Sequence, residues 1–246
     1  MRITILILIV IAFISCESTE NEKKTTKNKN EDKVVVSKYG NGSVRAEIPM
    51  KDGKKNGIAK EYYEGGELYR EIEYVNGKKA GISKRYFENG HVAQETVFKN
   101  DKIHGTQKKF RENGKPASVA EYYEDNPRKG VVEYFTDGKV KDNYPQIVIT
   151  PDDRVYSEGL YIVRISLSEK VKEVEYYLGR LTKEKTIGPN SKKIWNTDKN
   201  GMAQIEYPVL PRTFLMEKIH IIAKITTPLG NYFITEKDYN VAAENR

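Results

Sequence analysis

Hydrophobic and polar positions divide the chain into contrasting stretches. Ile3 to Ile14 is almost wholly apolar, whereas residues 17–33, ESTENEKKTTKNKNEDK, contain no apolar residue. From residue 34 onward, short runs alternate apolar and polar side chains and are separated by Gly, Asn and Asp. Alternation at a spacing of two marks a half-buried strand, because successive side chains leave a strand on opposite faces. Ile58, Lys60 and Tyr62 alternate with Ala59, Glu61 and Tyr63, and the next run puts Leu68, Arg70, Ile72 and Tyr74 on one face. Glu88-Asn89-Gly90, Glu112-Asn113-Gly114 and Thr136-Asp137-Gly138 stand between strands. Asn-Gly and Asp-Gly favour positive φ, so a type I′ hairpin turn is expected at these sites.

The pattern repeats. Gly57, Gly81 and Gly105 are 24 residues apart, and Gly130 follows after 25. Gly66, Gly90 and Gly114 come nine residues after the first three, and Gly138 eight after the fourth. Aromatic residues keep the same register at Tyr62-Tyr63, Tyr86-Phe87, Phe110 and Tyr134-Phe135, and again at Tyr74, Phe98 and Tyr122. A lone hairpin buries no stable core, so these units must stack on one another.

The unit G-x-x-K-x-Y-[YF]-E-x-G, followed by an acid and an aromatic near an N-G-K turn, resembles the MORN repeat variant found in bacterial proteins of the YwqK antitoxin type. The resemblance covers residues 34–144 and implies an elongated hairpin array that binds or spaces a partner. It also carries the alternative of an antitoxin-like or immunity-type protein that masks a toxin. Lys60, Lys84 and Lys108 share one register, as do Glu71 and Glu95. The lysines are a candidate surface for an anionic polymer or headgroup. The interleaved acids also fit a solvated sheet face.

At the N-terminus, Arg2 precedes the apolar run and Ser15 precedes Cys16, the one cysteine. The run has the length of a secretory signal. Phe13-Ile14-Ser15-Cys16 resembles the lipobox of bacterial lipoproteins, which implies cleavage before Cys16 and acylation of its thiol. The expected organisation is a signal peptide at 1–15, a lipidated cysteine with a disordered tether at 16–33, repeats at 34–144, and a second β-domain at 145–246. Acylated Cys16 would hold membrane lipid and place the protein in the bacterial cell envelope. Several acyl chains anchor stably where one does not.

After Gly138 the repeat fades, and Asp142-Asn143-Tyr144-Pro145 reads as a break. Strand-like runs follow at 146–150, 160–167, 171–181, 202–209, 219–226 and 232–235. Their short lengths and frequent turns predict an antiparallel, immunoglobulin-like β-sandwich. The fold class is therefore all-β: a tandem hairpin array followed by a sandwich.

Composition narrows function. With 42 Lys+Arg against 35 Asp+Glu the formal charge is +7, spread without an arginine-rich cluster, so nucleic acid is not an expected partner. One cysteine excludes a disulfide scaffold. His91, His104 and His220 are scattered, and no metal, cofactor or catalytic site is expected. Asp152-Asp153 beside Pro151 reads as a turn, far short of a calcium cage. The expectation is a non-enzymatic, membrane-anchored module with a protein or envelope-polymer partner.

Overall fold

The structure, a computed structural model, describes residues 32–195 and 197–246. The expected signal peptide, Cys16 and all but the end of the 16–33 tether lie outside those residues. The described chain is nearly all strand.

The first sheet has twelve strands. They are β1 (Lys33–Lys38), β2 (Val44–Lys51), β3 (Lys54–Lys55), β4 (Gly57–Tyr62), β5 (Leu68–Val75) and β6 (Lys78–Lys79). Then come β7 (Gly81–Tyr86), β8 (Val92–Lys99), β9 (Lys102–Phe110), β10 (Pro116–Tyr123), β11 (Asn126–Pro127) and β12 (Val132–Glu133). The order β1-β2-β4-β5-β7-β8-β9-β10-β11 follows the chain, as expected when each hairpin stacks on the one before.

Two kinds of turn alternate, and they correct the expected turn type. At Glu88-Asn89-Gly90 only the glycine has positive φ, at 81°. Gly90 N–H donates to Phe87 C=O at 2.9 Å, and Phe87 N–H to His91 C=O at 2.9 Å. That is a three-residue loop, a type I turn closed by a left-handed bulge residue. Its bonding recurs at Tyr39, Tyr63, Arg111 and Phe135. The type I′ turns lie at the other end of the hairpins, where both central residues have positive φ: Asp52-Gly53, Asn76-Gly77, Asn100-Asp101 and Glu124-Asp125. Asn-Gly occurs in both settings, so the dipeptide alone does not separate them.

The repeats are tied across their boundaries at the same register. Tyr39 and Tyr63 hydroxyls donate to the carbonyls of Tyr62 and Tyr86 at 2.6 and 2.8 Å, and Arg111 reaches Tyr134 C=O at 2.6 Å. At the type I′ turns, Gly77, Asp101 and Asp125 N–H groups donate to Lys55, Lys79 and Ile103 carbonyls.

The second region is a sandwich, as expected. One sheet joins β13 (Ile147–Arg154), β14 (Leu160–Leu167) and β17 (Ala203–Pro208) in the order β13-β14-β17. The other joins β15 (Val174–Leu178), β16 (Lys192–Ile194), β18 (Thr213–Thr226) and β19 (Tyr232–Asn245) in the order β16-β15-β18-β19. The chain crosses between sheets after β14, returns after β16 and crosses again after β17, an immunoglobulin-like connectivity. Val163, Ile165, Tyr176 and Ile221 are fully buried between the sheets. Tyr176 fills the core, with its hydroxyl on Gly201 C=O at 3.0 Å. Trp195, just beyond β16, is 79% exposed instead.

Several strand bounds differ from expectation. β13 runs through Pro151-Asp152-Asp153, so this is strand rather than turn. It is an edge strand paired only with β14, where proline costs no sheet hydrogen bond. Asp152 is engaged by Arg154 at 3.0 Å and Arg164 at 2.5 Å. A single helical turn, α1 (Val155–Glu158), follows it. β16 was not expected, the run at 171–181 shortens to β15, and β18 and β19 are each 14 residues long.

The turn between β18 and β19 docks onto the end of the repeat sheet. Glu133, 2% exposed, accepts hydrogen bonds from Thr227 Oγ1 and Asn231 Nδ2, each at 2.6 Å. Lys109 Nζ donates to the carbonyls of Leu229 and Gly230 at 2.6 and 3.1 Å. Tyr144 stacks on Phe233 with ring centres 4.0 Å apart. Phe233 also packs on Ala120, Tyr122 and Val131, so the sandwich completes the last core of the array.

Candidate functional site

The repeat sheet has two chemically different faces. Residues directly opposite on antiparallel strands share a face, so the register assigns each row. One face carries Glu47, Lys60, Glu71, Lys84, Glu95 and Lys108 on six successive strands. Lys60, Lys84 and Lys108 thus meet in one row, but a glutamate stands beside each of them. Lys84 lies 3.6 Å from Glu95. The Tyr62 hydroxyl donates to Glu47 at 2.9 Å and the Tyr86 hydroxyl to Glu71 at 2.7 Å. Burial, then the Glu71 carboxylate, pushes Tyr86 up to about 12. Opposite charges alternating along a row stabilise the pairing and nearly cancel at a distance. The sequence showed the lysine register and the acids between, and strand pairing sets both in one row.

The other face carries Glu61, Arg70, Arg85, Gln94, Lys109, Ser118 and Glu133 in a row. Beside it run Ser83, Thr96, Gln107 and Ala120. Ala59, Ile72 and Tyr74 form a small core on this side. The docked turn of the sandwich covers the row only at its Lys109–Glu133 end. Lys109 has its ammonium value lowered by burial, an effect the Glu133 carboxylate partly offsets.

The turn glycines share one backbone property. Gly57, Gly66, Gly81, Gly90, Gly105, Gly114, Gly130 and Gly138 all have φ between 65° and 115°. At Gly81 the reason is also steric, since a Cβ would lie 1.9 Å from Glu73 Oε2. Cys16 is outside the described residues.

Three of the units, residues 55–76, 79–100 and 103–125, match the MORN repeat variant family. The same bulged turn extends the array beyond that stretch, to Tyr39 on one side and Phe135 on the other. No curated protein matches the chain.

The histidines are placed separately. His91 Nδ1 lies 2.5 Å from Glu112 C=O, and His104 packs against Tyr123. His220 holds Asp238 at one ring nitrogen and Glu236 at the other. Lys218 and Lys129 pair with those carboxylates at 2.9 and 2.8 Å. Lys129 precedes β12, so this chain of charges also links sandwich to repeats. Its members are far apart in sequence, and only strand register brings them together. The two carboxylates take opposite ring nitrogens, and no group of three or more His, Cys, Asp or Glu among the described residues is arranged to hold a metal.

Proposed function

We propose that the protein is a membrane-anchored, non-enzymatic binding module that presents the repeat sheet to a partner. The supporting observation is the sheet itself. In-register rows run from β2 to β10, and the sandwich covers only one end of one face. Tandem units that keep one register offer an extended surface rather than a pocket. The lipobox-like Phe13-Ile14-Ser15-Cys16 supplies the anchor in this reading. The polar segment after it reaches β1 at the sheet edge remote from the sandwich. In this reading the array is tethered through β1, at the edge remote from the sandwich.

The test is crosslinking in intact bacterial envelopes, comparing the native chain with Cys16→Ser. The expected result is a lipid-labelled native protein carrying one stoichiometric partner, with label and partner both lost in the variant. Lipid labelling that persists in Cys16→Ser would remove the anchor from the reading. The antitoxin-like or immunity-type alternative rests on the repeat resemblance. It predicts that the captured partner is a toxin.

A further inference from the structure

The geometry points to a phosphate-binding hollow on the repeat face opposite the Glu–Lys row, centred on Arg70, Arg85 and Thr96. This rests on the reading of the repeat sheet as a binding surface and gives that surface a ligand chemistry. A depression of about 140 Å³ opens there, lined by side chains of β5, β6, β7 and β8, Lys79 and Gln94 among them. That volume accommodates one phosphate group and excludes a nucleotide or a sugar ring with its substituents, so the rest of a ligand would project outward.

Three features set this hollow apart from an ordinary solvated face. First, Arg70 and Arg85 are directly opposite one another on paired strands. Like charges in that relation destabilise a sheet. The acid nearest in the row, Glu61, lies beyond Arg70 and binds Arg70 Nη2 through both oxygens at 2.7 and 2.6 Å. The ion pairs of the array leave Arg85 without an acid among the described residues. The other face solves the same problem by alternating signs, so the repeat can avoid this cost and here does not. A local conflict kept in an otherwise consistent fold marks a binding position.

Second, polar hydrogens lack acceptors. Arg70 Nε is buried and has no hydrogen-bond partner. Thr96, 4% exposed, accepts from Gln94 Nε2 at 3.0 Å and Gln107 Nε2 at 3.4 Å. With both amides pointed at its oxygen, the threonine hydroxyl has its own proton to give. Third, no carboxylate lines the hollow, whereas Lys79, held over the Phe98 ring at 5.2 Å, adds a third cation. The Arg85 guanidinium, the unpartnered Arg70 Nε, the Lys79 ammonium and the Thr96 hydroxyl belong to residues that line one depression from four strands. A tetrahedral anion with several oxygens uses that arrangement more fully than a single planar carboxylate.

The test is calorimetric titration of the detergent-solubilised full-length protein with inorganic phosphate and with glycerol 3-phosphate at fixed ionic strength. A parallel arm uses phosphatidylcholine vesicles with and without phosphatidylglycerol. Saturable one-site binding is expected, weakened about tenfold by Arg85→Gln, which loses a charge-assisted contact. Lys183→Gln, at an exposed lysine of the sandwich, should leave it unchanged. Melting temperatures of both variants verify folding. Binding to the soluble phosphates alone assigns a soluble source, and tighter binding to the phosphatidylglycerol vesicles assigns a lipid headgroup. The proposal fails if no probe saturates, or if Arg85→Gln and Lys183→Gln weaken binding equally, which would mean diffuse attraction to net charge. Partner capture that survives such a failure would overturn the phosphate hollow and leave the binding module standing.

Discussion

Replacing Glu133 by alanine tests how the repeat sheet and the sandwich are held together. The Glu133 side chain is buried and accepts from two donors of the β18–β19 turn, Thr227 Oγ1 and Asn231 Nδ2, at 2.6 Å each. A hydrogen bond to a charged group contributes about 1.5–3 kcal/mol, so the pair is worth roughly 3–6 kcal/mol. Removing the carboxylate also removes the cost of burying its charge, which offsets part of that loss. The expected net destabilisation is about 3 kcal/mol. Glu133→Gln keeps an oxygen for both donors and should cost about 1 kcal/mol. Urea unfolding followed by far-ultraviolet circular dichroism gives the global value. Hydrogen exchange, read separately for strands of the array and of the sandwich, shows where it acts. In Glu133→Ala, protection should fall first at β10, β12 and the β18–β19 turn. Combining Glu133→Ala with Thr227→Val should cost clearly less than the sum of the single changes, because both remove the same bond. A Glu133→Ala protein within about 0.5 kcal/mol of the parent would refute the idea that this contact joins the two regions.

Two further predictions concern the turns and the charges. Gly90 sits at φ 81° in a bulged turn, so Gly90→Val should cost about 1–3 kcal/mol and lower Tm by several degrees; an unchanged Tm in a thermal melt would argue against this backbone geometry. Burial opposes the charge of Glu175, but hydrogen bonds from Lys193, Lys224 and Tyr177 outweigh it and hold the carboxyl at about 2, while Lys218 and His220 hold Asp238 at about 2. Both lie below the ordinary 4.5 and 3.8, so their stabilisation is complete above those values and is lost as pH falls from about 4.5 to about 2. Unfolding free energies measured across that window should decline, less steeply in Lys224→Gln; a flat profile would contradict the pairing.

Much of the repeat architecture was legible because its determinants are local. Alternation, turn residues and a 24-residue spacing each occupy a few consecutive positions, and the hairpins they define pair with their neighbours in sequence. The turn types were assigned to the wrong end of the hairpin at Glu88-Asn89-Gly90, since Asn-Gly serves both a type I′ turn and a bulged loop. What separates them is whether the residue before the glycine also has positive φ, as Asn76 does and Asn89 does not. Pro151-Asp152-Asp153 looked like a turn because proline breaks central strands, and edge position is a property of the whole sheet. The contacts joining the two regions were not legible. Glu133 and Asn231 are 98 residues apart, Lys109 and Gly230 are 121, and nothing in their local sequence distinguishes them. The same holds for the candidate hollow. Arg70 and Arg85 face each other only because the type I′ turn at Asn76-Gly77 and a two-residue register offset between β6 and β7 bring them opposite.

The strand order of the array also determines how the molecule yields under load. A pull between β1 and the sandwich acts across the strands, along the direction of the hydrogen bonds joining them. The bonds of one strand then open in sequence from its loaded end, instead of all resisting at once as they would under shear. Each 24-residue unit that peels away releases about 80 Å of chain at roughly 3.4 Å per residue. If Cys16 is the anchor, the array is an extensible link that lengthens one hairpin at a time between the membrane and the sandwich held at Glu133.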